Sequence, residues 1–213
     1  MLPIMTKMAN ENSFWVIYAH HSEPTFIEEA GNAQKEQRDN SLRFVHKWRN
    51  AIDVGANVGE WTRPLAKKFQ QVICFEPNPF FRECFNKNID EPNVILYPYG
   101  LSSHTHNAQQ GAKDTHLNFV LGDTKPRDGD IECRSLDSFN FTQIDYIKID
   151  VDGFEIPVLK GAKDTLRNNS PIVNIEMKQK KRPKIVSKCR QILQRLGYTL
   201  HLRTKSDEVW KKP

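Results

Sequence analysis

The segment AIDVGANVGEWT, residues 51–62, constrains the fold more than any other part of the chain. Its first residues are apolar apart from Asp53, and Gly55, Asn57 and Gly59 follow before a run compatible with a helix. This order predicts a buried strand that delivers a carboxylate to a tight turn, with a helix N-terminus just beyond. A glycine-rich turn alone is weak evidence for a ligand site, because many strand–helix turns need glycine for geometry only.

Composition limits the class of protein. The chain has 213 residues, of which 38% are hydrophobic and 27% charged, as in a globular protein with one sizeable core. No apolar run approaches the roughly 20 residues that cross a bilayer, and the N-terminus lacks the basic region and cleavage site of a signal peptide. We therefore expect no membrane span and a cytoplasmic protein.

Cysteine spacing and net charge exclude further classes. Cys74, Cys84, Cys133 and Cys189 are widely separated and form no CxxC pair, which argues against a zinc site or a disulfide framework. The formal net charge of +5 is compatible with an anionic substrate and too small to indicate nucleic acid by itself.

From residue 51 to the end, strand and helix patterns alternate, which is typical of an α/β domain with a mainly parallel sheet. We divide the chain into an N-terminal lead-in, residues 1–50, and a domain, residues 51–213. Strands are predicted at 51–54, 72–75, 93–97, 144–150 and 171–176, helices at 60–69, 79–88, from 154 and at 183–196, and a terminal hairpin at 198–203 and 208–211.

Two regions depart from this alternation. The lead-in is predicted to hold a short strand at 14–18 and a helix within 28–49, with Leu42, Val45 and Trp48 on one apolar stripe. Residues 100–135 are polar and glycine-rich, which predicts an antiparallel β insertion after strand three with segments at 115–121 and 131–134. His104, His106 and His116 fall here, but no cysteine or acidic cluster completes a metal site.

Four predicted strands end in or beside an acid: Asp53, Glu76, Asp150 and Glu176. Ligands of open parallel sheets bind outside the carboxyl ends of the strands, so these four side chains are expected on one rim. A single acid at such a point is commonly a helix cap or a loop charge. Four at equivalent positions indicate a ligand site.

Glu76 indicates the kind of ligand. It ends strand two about 20 residues after the glycine turn, where an acid binds ribose hydroxyls. The turn does not match GxGxxG, since Asn57 replaces the middle glycine and Thr62 the last, and Asp53 would repel a pyrophosphate. A cationic cofactor without phosphates fits better, and S-adenosylmethionine is such a cofactor.

The ordered motifs resemble those of the FkbM family of S-adenosylmethionine-dependent methyltransferases. They are AIDVGANVGEWT, CFEPNP at 74–79, SLDSF with IDYIKIDVDGFEIPVLKGA at 135–162, and PIVNIEM at 171–177. The resemblance implies a class I methyltransferase fold, a Rossmann-like sheet of order 3-2-1-4-5-7-6 with the last strand antiparallel. It also implies methylation of a hydroxyl oxygen, often on a sugar or another natural product.

The resemblance assigns roles to matching positions. Asp53, Gly55, Asn57 and Gly59 are expected to hold the methionine part of the cofactor, Glu76 the ribose, and Gly100, Leu101 and Ser102 the adenine. Ala56 and Pro77 complete the predicted cofactor-binding set. Asp150 is expected to face the methyl group and the acceptor. Asp152 stands where the family often has Glu or Gln, which weakens any role for it.

Deprotonation of a hydroxyl acceptor calls for a base within hydrogen-bond reach. Asp150 is the leading candidate and Glu176 the second, although Asp150 could instead only bind the amino group of the cofactor. Asp150, Asp152 and Glu176 could alternatively cradle a divalent cation, since carboxylates are hard oxygen ligands. Our prediction for the active site nevertheless includes no metal ion.

Two other functions stay open. An RNA ribose 2′-O-methyltransferase would use a set such as Lys148, Asp150, Lys178 and Glu176, but no aromatic platform for single strands is evident. The second open function is that of a nucleotide-binding Rossmann module without catalytic activity. The basic run Lys178–Lys184 is either a solvated loop or an attraction for an acidic acceptor, such as a phosphorylated or nucleotide-linked sugar, or RNA. The expected partner is therefore a small-molecule hydroxyl acceptor, with nucleic acid disfavoured.

Overall fold

The computed structural model describes residues 4–7, 15–18, 34–110, 121–123, 131–204 and 206–213. The strands are β1 (Ile4–Lys7), β2 (Trp15–Tyr18), β3 (Asn50–Val54), β4 (Gln71–Phe75), β5 (Val94–Tyr97), β6 (Gly100–Leu101), β7 (His106–Gln110), β8 (Leu121–Asp123), β9 (Ile131–Arg134), β10 (Ile144–Ile149), β11 (Ile172–Glu176), β12 (Thr199–Arg203) and β13 (Asp207–Lys211). The helices are α1 (Lys35–Leu42), α2 (Thr62–Ala66), α3 (Pro79–Asn88), α4 (Glu155–Lys160), α5 (Lys163–Asn169) and α6 (Pro183–Arg195), and a 3₁₀ turn spans Leu136–Phe139.

Seven strands form the central sheet in the order β12-β13-β11-β10-β3-β4-β5. β13 runs antiparallel to both of its neighbours, and the other described pairings of this sheet are parallel. Numbered along the chain, this is the predicted order 3-2-1-4-5-7-6 with the last strand antiparallel. The predicted fold class is confirmed.

Alternation of side chains along the strands divides the core into two layers. Ile52, Ile73 and Ile147 pack on one face with residues of α4, α5 and α6, while Ala51 and Tyr146 pack on the other with residues of α1, α2 and α3. Because neighbouring residues of a strand point to opposite faces, Asp53 and Lys148 lie on the side of α1 and α2. This alternation determines the face of the sheet toward which the side chains of Asp53 and Lys148 point.

The helices begin and end where local chemistry requires it. Asn78 caps α3 by accepting a hydrogen bond from the Phe80 N–H, and Pro79 occupies the first turn. The single helix predicted from residue 154 is two helices, α4 and α5. They separate at Gly161, where a Cβ atom would lie 1.9 Å from the carbonyl oxygen of Ser102. The chain must pass this point without a side chain, and the helix is interrupted there.

The insertion after strand three forms a separate four-stranded sheet in the order β6-β9-β7-β8. The pairs β7–β9 and β7–β8 are antiparallel as predicted, whereas β6 and β9 run parallel. Of the predicted segment 115–121, residues 115–120 lie outside the described residues, and the strand begins at Leu121.

The lead-in contains a strand where one was predicted, β2, but this strand pairs with β1, which was not predicted. Of the segment 28–49 predicted to hold a helix, the structure describes residues 34–49, and within these the helix is α1. Leu42 ends it, and Val45 and Trp48 follow outside the helix, although all three join the core on that face. In the described part of the chain, no helix has the length and apolar character needed to span a membrane.

Candidate active site

A cavity of about 510 Å³ opens at the carboxyl ends of β3, β4, β10 and β11. Its size falls within the usual range for small-molecule sites. The residues of its wall come from the turn after β3, the ends of β4, β10 and β11, β6, and α1. They are Gln34, Gln37, Val54, Gly55, Ala56, Asn57, Val58, Glu60, Trp61, Phe75, Glu76, Pro77, Phe81, Tyr99, Gly100, Leu101, Lys148, Asp150, Val151, Asp152, Phe154, Glu176 and Lys178.

The turn after β3 is held between two strand ends. The backbone N–H groups of Gly55 and Ala56 both donate to the carbonyl oxygen of Phe75, at 3.0 and 3.1 Å. Gly55 has a φ of 78°, and a Cβ atom there would lie 2.0 Å from the carbonyl oxygen of Asp150. Only glycine allows this approach, so the turn brings β4 and β10 to one side of the cavity.

Glu76 is buried at the end of β4 and faces the cavity. One carboxylate oxygen accepts the Asn57 N–H at 2.9 Å and the other accepts the Asn78 N–H at 2.8 Å. Burial raises the pKa of Glu76 to about 7, against the opposing effect of these two hydrogen bonds. The carboxylate ties the glycine turn to the start of α3 and keeps acceptor capacity for a ligand.

Lys148 lies beneath the glycine turn with its ammonium group out of solvent. Nζ donates to the Gly55 carbonyl oxygen at 2.9 Å and lies 3.3 Å from Asp53 Oδ1 and 4.0 Å from Asp150 Oδ2. Burial disfavours the charge, but Asp53 and Asp150 outweigh burial and raise the pKa of Lys148 above its ordinary value. Lys148 therefore stays charged and links three parts of the site.

On the outer side, Lys178 lies between two carboxylates. Its Nζ is 2.8 Å from both Asp152 and Glu176, and the Arg182 guanidinium is 3.8 Å from Asp152. Burial and the nearby charge of Asp150 raise the pKa of Glu176 above its usual range. Asp152 adopts a left-handed φ of 48°, and Lys178 and Arg182 fix that loop conformation.

Most of the predicted site residues line the cavity, namely Gly55, Ala56, Asn57, Glu76, Pro77, Gly100, Leu101, Asp150 and Glu176. Three others lie outside its wall. Asp53 is fully buried under the turn, where Thr62 donates to it at 2.7 Å. A Cβ on Gly59 would meet Ile89 at 2.8 Å, so Gly59 serves packing against α3. Ser102 is buried, with its carbonyl against Gly161.

Sequence reasoning left several wall residues unassigned. Tyr99 directly precedes the predicted site residue Gly100, and Trp61 lies two residues after Gly59, and this proximity was the available signal. Phe81 and Phe154 resembled ordinary apolar helix residues. Gln34 and Gln37 lie far from every motif, and nothing in the sequence distinguishes them from other polar residues.

The charge of the cavity is opposite in sign to that of the whole chain. Its wall carries five acids, Glu60, Glu76, Asp150, Asp152 and Glu176, against two lysines, Lys148 and Lys178. The exposed lysines of the basic run, Lys180, Lys181 and Lys184, are not part of the wall. The cavity therefore favours a cationic ligand, whereas the surface beside it is basic.

Within the described residues, no group of three or more His, Cys, Asp or Glu side chains is arranged to hold a metal ion. Asp152 and Glu176 are joined by the ammonium of Lys178, which occupies the space that a cation would need. His106 Nδ1 lies 3.0 Å from the carbonyl oxygen of His104, and His116 is outside the described residues.

The sheet order and a cavity at the strand ends define the class I methyltransferase fold, and comparison with known proteins agrees. Residues 53–200 match the family described as methyltransferase FkbM domain. The chain belongs to this family.

Three similar proteins illustrate the relationship. The hexuronic acid methyltransferase AglP of Haloferax volcanii is 32% identical over 133 residues, which are 58% of this chain and 54% of that protein. The crystal structure of a methyltransferase FkbM from Methylobacillus flagellatus has a TM-score of 0.56 at 18% identity, covering 78% of this chain and 44% of the other. The structure of a candidate methyltransferase from Streptococcus mutans in complex with SAH has a TM-score of 0.56 at 12% identity. The match covers 84% of this chain and 97% of the other. This chain thus spans about half the length of the first two.

Replacing Lys148 with Met should lower the free energy of unfolding by about 3–5 kcal/mol, because Asp53 is left as a buried charge without a counterion. Adding Asp53→Asn should recover part of the loss. Urea denaturation of both variants measures this. The matched control is Lys160→Met on an exposed position of α4, for which a change within about 0.5 kcal/mol is expected. Equal losses in the two lysine variants would contradict the compensating role of Lys148.

Replacing Glu76 with Gln should change the free energy of unfolding more favourably at pH 8 than at pH 5, in addition to a pH-independent loss, because the amide nitrogen cannot accept one of the two backbone N–H groups. Between its ordinary pKa of 4.5 and about 7, Glu76 loses its proton in the unfolded chain but keeps it when folded, so wild-type stability falls relative to the variant. The difference should reach on the order of 3 kcal/mol above pH 7. Denaturant unfolding at both pH values measures it, with Glu83→Gln on the exposed side of α3 as control. A difference independent of pH would refute the assignment.

Proposed function

We propose that this protein transfers the methyl group of S-adenosylmethionine to a hydroxyl oxygen of a sugar or a glycan-like molecule. The observation that carries the proposal is that Glu76, Asp150 and Glu176, from three different strands, meet around one cavity beside the glycine turn. Membership of the FkbM methyltransferase family supports the reaction type. The relative AglP, named as a hexuronic acid methyltransferase, supports the acceptor class.

The residues present fit this cofactor. Five acids on the wall suit the positive charges of its sulfonium and ammonium groups. The buried Glu76 carboxylate is held by two backbone N–H groups and lines the cavity, which supports its proposed role as the acceptor for ribose hydroxyls. When bound, the cofactor supplies a methyl group on a good leaving group. The chain has to bind it, align the acceptor about 3 Å from that carbon, and remove the acceptor's proton.

Asp150 and Glu176 differ in their surroundings, and this separates their proposed roles. The backbone of Asp150 approaches the turn at Gly55, and its side chain lines the cavity, which supports a role in accepting a hydrogen bond from the cofactor's amino group. Glu176 lies one strand further out, and its raised pKa makes it a stronger base than an ordinary carboxylate. The sequence ranked Asp150 first as the base, whereas the surroundings favour Glu176. Lys178 holds Glu176 in position.

The RNA alternative keeps one specific observation in its favour. Lys148, Asp150, Lys178 and Glu176 all line the cavity, as a ribose 2′-O-methyltransferase would require. However, the ammonium of Lys148 is already engaged by Gly55 and Asp53, and Lys178 is engaged by two carboxylates. A sugar acceptor is therefore the proposal, and RNA is tested beside it as an alternative acceptor.

Two measurements test the function. Calorimetry should show binding of S-adenosylmethionine and weaker or no binding of NAD; tighter NAD binding would refute the proposal. Incubation with a labelled methyl donor and a panel of hexuronic acid saccharides, nucleotide sugars, lipids and RNA should label a saccharide. Labelling of RNA alone would select the alternative.

Variants should separate the two carboxylates. Glu176→Gln is expected to lower kcat by a factor on the order of 10²–10⁴ with little change in cofactor affinity, because a base is lost. The rise of kcat/KM with pH, as Glu176 loses its proton above the usual range of glutamate, should disappear as well. Asp150→Asn should instead weaken cofactor binding measured by calorimetry. Asp164→Asn, at an exposed position of α5, is the control. If Asp150→Asn lost turnover but kept its affinity for the cofactor, the general base would be Asp150 instead.

A further inference from the structure

The N-terminal helix α1 reaches the wall of the cavity. Gln34, the residue that precedes its first turn, and Gln37 within that turn both line the cavity. Neither belongs to the segment 53–200 that matches the family. A part of the chain outside the family domain thus contributes to the site.

Contacts at both ends of α1 fix its position. At its N-terminal end, the indole N–H of Trp61 donates to Gln34 Oε1 at 2.8 Å. At its C-terminal end, Ser41 Oγ lies 2.7 Å from the hydroxyl of Tyr146 on β10, with both atoms buried. Between them, the guanidinium of Arg38 lies 5.9 Å from the centre of the Trp61 ring. The helix is therefore docked on the sheet, and its first turn is held at the cavity.

Gln34 has an unusual backbone conformation. Its φ of 58° lies in the left-handed region, which non-glycine residues occupy infrequently and at a cost of about 1–2 kcal/mol. Its carbonyl still accepts the Arg38 N–H at 3.0 Å, so α1 begins normally from this position. Strained residues of this kind persist where the surroundings over-determine them, and they concentrate at functional sites.

The two glutamine side chains offer uncharged hydrogen-bonding groups. Gln37 is half-buried and makes no side-chain hydrogen bond to any residue in the described part of the chain. Its amide provides two donors and one acceptor, and the amide nitrogen of Gln34 provides two more donors beside the Trp61 bond. Such groups match sugar hydroxyls, whereas the cationic cofactor is matched by the carboxylates opposite.

The alternation of side chains along β10 and β11 directs the acids at the carboxyl ends of these strands toward the face of the sheet on which α1 packs. Tyr146 and Ile172 belong to the core layer under α1 and α2. Since side chains alternate, Lys148 and Asp150 after Tyr146, and Glu176 after Ile172, are directed toward the same side. Glu176 and the first turn of α1 thus border the same cavity, and an acceptor bound there is open to both.

We propose that Gln37, together with Gln34, forms the acceptor subsite and binds saccharide hydroxyls next to the one that is methylated. This inference rests on the proposed function, and it assigns recognition of the acceptor to the N-terminal segment and recognition of the cofactor to the family domain. Gln37 is a specificity residue in this scheme and takes no part in proton removal.

The test measures saccharide binding separately from methyl transfer. Full-length protein saturated with S-adenosylhomocysteine is titrated calorimetrically with a glucuronic acid disaccharide. Gln37→Ala should raise the saccharide Kd at least tenfold, and Gln37→Leu, which keeps the side-chain volume but removes its hydrogen bonds, should do the same. Glu36→Ala, on the exposed side of α1, should change it less than twofold. The affinity for S-adenosylhomocysteine should stay within twofold in every variant.

Each result of these titrations either supports or overturns the acceptor subsite. Parallel loss of cofactor and saccharide affinity in Gln37→Leu would overturn it, because Gln37 would then serve the cofactor or the fold. Absence of saccharide binding by the wild type would overturn it too. Saccharide binding that depends on Gln37, with no methyl transfer to any saccharide, would support the subsite and refute the proposed function.

Discussion

The buried ammonium group of Lys148 is the interaction on which the rest of the site depends. It joins the carbonyl of the glycine turn to Asp53 below and Asp150 beside it, so that two acids and one base share a space with little water. A buried charge is tolerated only when paired and hydrogen-bonded. The backbone ladder sets the spacing of β3 and β10, and Lys148 meets this requirement by holding the Gly55 carbonyl of the turn against Asp53 and Asp150.

Local charge, rather than net charge, determines what the cavity accepts. The chain is basic as a whole, and a lysine-rich run leaves β11 at the very rim of the site. Yet only Lys178 of that run enters the wall, and two carboxylates surround it. A positively charged ligand can thus occupy the cavity while the exposed lysines outside affect only the approach of a partner. The expectation of an anionic acceptor therefore concerns the basic surface beside the cavity, and it stays a prediction.

Much of the fold was predictable because its signals are local. Buried parallel strands read as short apolar runs, and the bounds of α3 and β9 were predicted to the residue from Asn78, Pro79 and the flanking turns. The acids at the strand ends were found for the same reason, since strand ends meet on one rim. The three predicted residues that lie outside the wall could be located only with long-range information. Whether Asp53 faces a ligand or a lysine depends on Lys148, which lies two strand positions from Asp150 but 95 residues from Asp53.

The contribution of α1 could not be predicted, and the reason clarifies how this family can vary. Its short polar sequence has almost no amphipathic pattern, so its placement depends on single contacts: Gln34 with Trp61, and Ser41 with Tyr146. Both partners lie in the family domain. A helix attached in this way can exchange Gln37, which takes no part in either contact, without disturbing the sheet. Under the proposed acceptor subsite, recognition of the acceptor can therefore change in the lead-in while Glu76, Asp150 and Lys148 keep the geometry on which methyl transfer would depend.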